Sequence, residues 1–154
     1  MLIKTKTLGQ IEINENEIIT VVDGIFGFQD LTKYVLLMKE SEAPFAWFQS
    51  VENPDLAFVI IEPALFKYKY KLKVSDEFLK KIQADSKTTE IISYAIVVIP
   101  ENSPQRMTAN LQGPIIINPV NKLACQAISE IGEYTVKHFI TDEFNEKQRK
   151  EQGK

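Results

Sequence analysis

The sequence predicts an all-β dominated protein, a small antiparallel β-barrel or roll with one or two short helices. Many short segments are rich in β-branched and aromatic residues, turn residues separate them, and an internal helix signal is confined to one short segment. The chain has 154 residues, 44% of them hydrophobic, which is enough to bury a core without disulfides or metal ions. We expect a single β-barrel-like domain over residues 1–141 and a charged C-terminal tail over residues 142–154, either a short helix or disordered.

Six strands are predicted in the first half of the chain, because runs of β-forming residues alternate with turn residues there. The run from Tyr34 to Met38 is almost continuously apolar, as expected of a strand covered on both faces. The turn from Glu52 to Asp55 predicts an antiparallel hairpin between the strands on either side of it. The predicted strands cover residues 2–7, 10–13, 18–22, 34–38, 45–51 and 56–61.

The second half begins with the clearest alternation in the sequence, over residues 68–74. One face of this predicted strand carries Tyr68, Tyr70, Leu72 and Val74, and the other carries Lys67, Lys69, Lys71 and Lys73. Ser75 can then cap a short helix that runs through Gln83. Strands follow at 90–99 and 115–118, and Gly132 separates 124–131 from 133–140, which we expect to form a final hairpin.

The charge balance and the lone cysteine limit the class of protein. The formal net charge is −3, whereas a nucleic-acid-binding protein normally needs a basic surface. Cys125 has no partner for an intrachain disulfide, which fits a reducing compartment. The N-terminus lacks the apolar core of a signal peptide, and the apolar runs are too short to span a bilayer. We therefore expect a cytoplasmic protein that binds neither membranes nor nucleic acid directly.

No motif predicts catalysis, a metal site or a cofactor. The sequence has no glycine-rich phosphate loop, no dinucleotide fingerprint and no paired cysteines or histidines at zinc spacing. Cys125 is the only thiol and His138 the only histidine, so they could pair as nucleophile and base, but we favour the interpretation that both are ordinary strand residues. The lysines at 67–73 with interleaved tyrosines suggest a single-stranded RNA surface, but we favour an edge strand that lysines protect from pairing.

Two segments are candidate contact surfaces. Ile25, Phe26 and Phe28 lie in a predicted loop bounded by glycines, where apolar residues are difficult to bury. The other segment forms either an irregular strand in which Asn110 holds a turn or a partner-binding ridge, and its local pattern favours the strand. Its residues are Met107, Thr108, Ala109, Asn110, Leu111 and Gln112. Secondary candidates, whose alternative role is to shape the fold, are Phe45, Trp47, Gln49 and Asp55.

Three segments in order resemble the bacterial flagellar assembly factor FliW family. Residues 23–29 read Asp-Gly-Ile-Phe-Gly-Phe-Gln, and residues 44–55 read Pro-Phe-Ala-Trp-Phe-Gln-Ser-Val-Glu-Asn-Pro-Asp within a similar block that extends to Pro63. Residues 97–100 read Val-Val-Ile-Pro, and residues 107–114 read Met-Thr-Ala-Asn-Leu-Gln-Gly-Pro within a block that extends to Asn118. The chain departs from the family pattern at Phe26, where proline is usual, and at Gln29, where glutamate is usual.

The resemblance implies a compact β-barrel-like fold, no enzymatic activity and two protein partners. One partner is cytoplasmic flagellin, and the other is the RNA-binding translational regulator CsrA, which represses flagellin synthesis. Export of flagellin would free the assembly factor to antagonise CsrA. With this resemblance we predict that residues 25–28 and 107–112 contact the partners. The alternative is a small β-barrel domain that binds a ligand such as a flavin.

Overall fold

A computed structural model, which describes residues 1–153, contains ten β-strands and two α-helices. The strands are β1 (Leu2–Lys4), β2 (Gln10–Glu12), β3 (Ile19–Val21), β4 (Lys33–Met38), β5 (Ala46–Ser50), β6 (Ala57–Ile61), β7 (Ile92–Val98), β8 (Thr108–Asn118), β9 (Leu123–Gln126) and β10 (His138–Phe139). The helices are α1 (Asp76–Lys81) and α2 (Ile140–Gln152). The all-β dominated prediction is therefore confirmed.

Strands β3 to β9 form a closed barrel of seven strands. Consecutive strands pair antiparallel from β3 through β9, including the predicted β5–β6 hairpin. The barrel closes where β9 pairs parallel with β3, with Thr20 opposite Leu123 and Val21 opposite Ala124. A closed barrel leaves few strand edges free to pair with another chain.

Strand β8 is the longest and connects three neighbours. It pairs with β7 along most of its length, while its last four residues pair with β9. Its first two residues, Thr108 and Ala109, pair with β10. The strand predicted at 115–118 therefore begins earlier, and the segment 108–112 is part of it.

The barrel interior is filled with aliphatic and aromatic side chains. Tyr34 stacks on Phe48 with ring centroids 4.6 Å apart, and both are fully buried. The next residue, Val35, points outward and packs with Ile3 and Ile13 of the N-terminal segment. Strand β4 is thus covered on both faces, as its apolar run predicts.

Two further segments cover the outside of the barrel. Helix α1 begins after Ser75, whose side chain makes no capping hydrogen bond, and it places Leu79 against Ile116 and Cys125. Ile82, which directly follows the helix, packs in the same cluster. Residues 131–140, which we call the strap, pack with Phe66 over the outward side chains of β6, β7 and β8. These layers bury the apolar residues that alternate to the outer face of the strands.

The predicted strand at 68–74 is wrong. Residues 70–74 have no regular secondary structure and no sheet pairing among residues 1–153, and Lys69 has a left-handed backbone with φ of 50°. The alternation nevertheless predicts correctly which side chains are covered. Tyr70, Leu72 and Val74 pack against the core clusters, and Lys69, Lys71 and Lys73 are exposed. The lysines therefore do not protect an edge strand.

The predicted final hairpin is also wrong. Strand β9 pairs with β3 and β8, and β10 pairs with β8, so the two do not pair with each other. The segments on either side of Gly132 pair with strands that are distant in sequence, and a local pattern cannot show such pairings. The C-terminal residues Ile140–Gln152 form helix α2, which begins directly after β10.

Candidate functional site

An irregular bulge in β8, in which four residues lie opposite one, is at the centre of the candidate site. The β7–β8 pairing runs from Ile96 opposite Asn110 to Tyr94 opposite Ile115, so residues 111–114 lie opposite the single residue Ala95. Bulges of this kind redirect side chains and recur beside functional sites.

Asn110 holds the bulge in shape. Its side-chain carbonyl accepts the backbone N–H of Gln112 at 3.0 Å and that of Gly113 at 2.8 Å. A Cβ atom at Gly113 would lie 3.0 Å from Gln126 Nε2, so glycine permits this close approach. The predicted role of Asn110 in tying down a turn is confirmed.

The loop at 24–28 folds tightly at two glycines. Gly24 and Gly27 have φ of 69° and 90°, and a Cβ at Gly24 would lie 2.6 Å from the Cα of Gln29. Ile25 turns into the barrel core, whereas Phe26 is 55% exposed. Phe28 is partly exposed and packs edge-on against Phe58 at 5.3 Å. The loop therefore presents Phe26 outward from an anchored base.

Gln126 joins this loop to the bulge. Its Oε1 accepts the backbone N–H of Phe26 at 2.9 Å, and its Nε2 donates to the carbonyl of Gly113 at 2.9 Å. The side chain is buried, so both bonds are shielded from water. The two segments predicted separately as contact surfaces are thus neighbours in space.

Loop and bulge form one continuous surface with two further apolar residues. Ile128 is 50% exposed and Val136 is 52% exposed, and together with Phe26 they surround a shallow concavity of about 320 Å³. We call this the bulge surface, and it is lined by Phe26, Asn110, Gln112, Gly113, Ile128 and Val136. Exposed apolar residues around polar backbone are typical of protein-binding surfaces.

Only part of the segment 107–112 reaches this surface. Asn110 and Gln112 line it, whereas Thr108, Ala109 and Leu111 are buried, and Met107 packs against the core under the strap. Ile25 is buried as well. Of the predicted contact segment 107–112, only Asn110 and Gln112 therefore line this surface, because the strap and the pairings of β8 cover the other side chains.

The secondary candidates lie elsewhere on the barrel. Phe45 and Trp47 line a separate concavity of about 350 Å³, where Trp47 Nε1 donates to Glu42 Oε1 at 3.1 Å. Gln49 is buried and accepts the backbone N–H of Lys6 at 2.9 Å. Gln49 therefore connects the N-terminal segment to the barrel. Asp55 is exposed in the β5–β6 turn.

Sequence reasoning missed three residues of the site. Gln126, Ile128 and Val136 lie in segments without a distinctive local pattern, and only the non-local pairing of β8 with β9 and of β8 with β10 brings them to the bulge. The one available signal is weak: Val136 is an isolated apolar residue between Thr135 and Lys137.

The structure separates the cysteine from the histidine. Cys125 Sγ lies 3.6 Å from the carbonyl oxygen of Phe78, and burial raises the pKa of this thiol to about 11. His138 instead contacts Glu143 and Thr135. Within residues 1–153 no group of three or more histidine, cysteine or acidic side chains is arranged to hold a metal ion. Neither helix in this range is long and apolar enough to cross a membrane.

The comparison with known proteins agrees with this architecture. The family model described as "FliW protein" matches residues 2–140. The chain belongs to the FliW family. Flagellar assembly factor FliW of Treponema denticola is 45% identical over 145 residues, covering 94% of this chain and 97% of the relative. FliW of Ruminiclostridium cellulolyticum is 37% identical over 149 residues, covering 96% and 99%.

A solved structure supports the same assignment. The crystal structure of a flagellar assembly factor FliW superposes with a TM-score of 0.82 at 36% identity, covering 91% of this chain and 96% of that chain. The FliW relatives are named as assembly factors and not as enzymes. The resemblance found in the three sequence segments is therefore confirmed at the level of family and fold.

Proposed function

We propose that this protein is a non-enzymatic, cytoplasmic flagellar assembly factor that binds flagellin and antagonises the translational regulator CsrA. The observation that carries the proposal is the bulge surface, where Phe26, Ile128 and Val136 present exposed apolar side chains around the fixed polar groups of the β8 bulge. Both segments belong to the blocks that resemble the family. Protein contact of this kind needs no metal, cofactor, membrane or nucleic acid.

The regulatory effect follows from mass action. If flagellin and CsrA both bind the free assembly factor, each partner lowers the concentration available to the other. Export of flagellin then releases assembly factor, which binds CsrA and relieves repression. This coupling makes flagellin synthesis respond to its own export.

The alternative functions have weaker support. The barrel interior is occupied by Tyr34, Phe48, Ile60 and their neighbours, which does not favour a flavin inside it. Tyr70 is stacked on Tyr134 at 5.5 Å and is half-buried, so it is not free to stack on an RNA base.

Isothermal calorimetry against flagellin and CsrA from the same organism tests the proposal. Phe26→Ser and Val136→Ser remove apolar contacts from the bulge surface, and we expect each to weaken binding by about tenfold or more. Val120→Ser is the matched control, because Val120 is 88% exposed and lies near Glu15 and Asn16 instead. No binding of the unmodified protein to either partner would refute the proposed function.

The concavity beside Trp47 provides a second readout. Trp47 is the only tryptophan in the sequence, so its fluorescence reports on this concavity alone. A partner that binds the bulge surface leaves the emission of Trp47 almost unchanged. A large change in emission, together with unaltered binding by the Phe26 and Val136 variants, would place the contact at Trp47.

A further inference from the structure

The only histidine of the chain connects helix α2 to the strap. His138 Nδ1 lies 2.6 Å from Glu143 Oε2, and Glu143 Oε1 lies 3.0 Å from Lys67 Nζ. The three side chains are 10%, 16% and 20% exposed, so this chain of polar contacts is largely shielded from solvent. Shielded, charge-assisted contacts are stronger than those of exposed surface pairs.

The second ring nitrogen determines the proton position. The backbone N–H of Thr135 donates to His138 Nε2 at 2.9 Å, so Nε2 is an acceptor and carries no proton. The proton is therefore on Nδ1, which donates to Glu143. The ring thus holds the turn at 135–138 against the first turn of α2.

The same turn holds the bulge of β8. The carbonyl oxygen of Thr135 accepts the backbone N–H of Leu111 at 3.0 Å and that of Gln112 at 3.2 Å. The next residue, Val136, lines the bulge surface. A displacement of the His138 ring therefore shifts Thr135 and, with it, both the bulge and Val136.

Tyr134 packs beside the ring of His138 and is itself hydrogen-bonded to the backbone. Tyr134 lies edge-on to His138 with centroids 6.0 Å apart, and its hydroxyl accepts the backbone N–H of Lys71 at 3.1 Å. The charged groups that join this arrangement are Glu143 from α2 and Lys67 from the segment before α1.

We infer that His138 is a positioning residue for the bulge surface, and that Glu143 of helix α2 sets the geometry of that surface through it. The consequence for partner binding rests on the proposed function. The effect of His138 on the shape of the bulge surface does not depend on that function, because it concerns hydrogen bonds within this chain. Helix α2, which sequence reasoning treats as a tail, is then part of the binding apparatus.

Amide NMR of the full chain tests the geometric part. We expect His138→Ala to shift the amide resonances of Gln112 and Val136 strongly. His138→Gln should restore them largely, because an amide can accept from Thr135 and donate to Glu143. If His138→Ala does not fold, Glu143→Gln tests the same contact. The matched control is Glu151→Gln, which alters an ion pair of 3.0 Å with Lys147 on the same helix.

Calorimetry against flagellin from the same organism tests the functional part. His138→Ala and Glu143→Gln should weaken binding by about fivefold, while His138→Gln and Glu151→Gln bind as the unmodified protein does. Unshifted Gln112 and Val136 resonances in both weakened variants would overturn the inference. If the unmodified protein binds no flagellin, the proposed function fails, whereas the NMR result still decides the role of His138.

Discussion

The side-chain carbonyl of Gln126 accepts the backbone N–H of Phe26 across 100 positions of sequence, at 2.9 Å. The other end of the same amide binds the carbonyl of Gly113. One buried side chain therefore fixes the distance between the loop and the bulge of β8. An exposed aromatic residue on such a rigid base loses little conformational freedom when a partner binds it.

Gln126→Ala should destabilise the protein and disturb the site together. The substitution leaves the N–H of Phe26 and the carbonyl of Gly113 without these partners, at a cost of about 2 kcal/mol in the free energy of unfolding. Urea denaturation measures the loss. Gln112→Ala is the control, because Gln112 is exposed and its substitution should change stability by no more than about 0.5 kcal/mol. Equal stability of the two variants would contradict this role of Gln126.

The two glycines of the loop should differ in their tolerance of alanine. Both have positive φ, so a side chain at either costs about 1 kcal/mol of backbone strain. Only Gly24→Ala adds a clash with the backbone of Gln29, whereas a Cβ at Gly27 meets no atom within 4 Å. We expect Gly24→Ala to lower stability by about 1–3 kcal/mol more than Gly27→Ala does. Thermal unfolding of the two variants side by side measures the difference.

The ion pair of Glu143 should make the attachment of helix α2 sensitive to acid. Burial alone would raise the pKa of this carboxyl, but hydrogen bonds from His138 and Lys67 outweigh burial and hold the pKa below its ordinary value of 4.5. A lowered pKa in the folded state adds stability above the unfolded-state pKa, and this stability is lost as pH falls through the folded-state pKa. The stability difference between unmodified protein and Glu143→Gln should therefore persist from neutral pH to about pH 5 and shrink below it.

Urea denaturation across this pH range checks the expectation. Glu151→Gln again serves as the control, because Glu151 is exposed at the end of the same helix. A difference that stays constant down to strongly acidic pH would contradict the assigned contacts of Glu143.

Cys125 should be unreactive while the protein is folded. It is buried beneath helix α1, and burial raises its pKa to about 11, so little thiolate forms near neutral pH. An aromatic disulfide reagent at mildly alkaline pH should label the folded protein very slowly and the urea-unfolded protein at once. Rapid labelling of the folded protein would show that helix α1 opens readily.

The parts of the fold that sequence predicts well depend on neighbours in the chain. The β5–β6 hairpin follows from two apolar runs and the turn between them, and its register with Gln49 opposite Ala57 needs no distant residue. The short helix α1 likewise follows from a serine at the N-cap position and three apolar residues at helical spacing, although the serine side chain makes no capping hydrogen bond. In both cases the residues of the segment itself are sufficient to predict its structure.

The incorrect predictions concern segments whose role is set by distant partners. Residues 68–74 alternate because one side packs on the barrel, and the same alternation would arise in a strand. The candidate site also divides into residues that a local pattern reveals and residues that it does not. Phe26 and Asn110 stand out in the local sequence. Gln126, Ile128 and Val136 reach the site only because β8 pairs with β9 and with β10. Such pairings leave no short-range signature.

The parallel closure of β3 on β9 has a consequence for synthesis on the ribosome. Strand β3 pairs early with β4 on one side, but the parallel partners of Thr20 and Val21 on the other side are Leu123 and Ala124, so most of the chain must emerge before the barrel can close. Until then the edge of β3 that faces away from β4 is open to other chains, and pairing of such high contact order is slow. Translational pausing or a holding chaperone would therefore affect the yield of this protein mainly before β9 has left the exit tunnel.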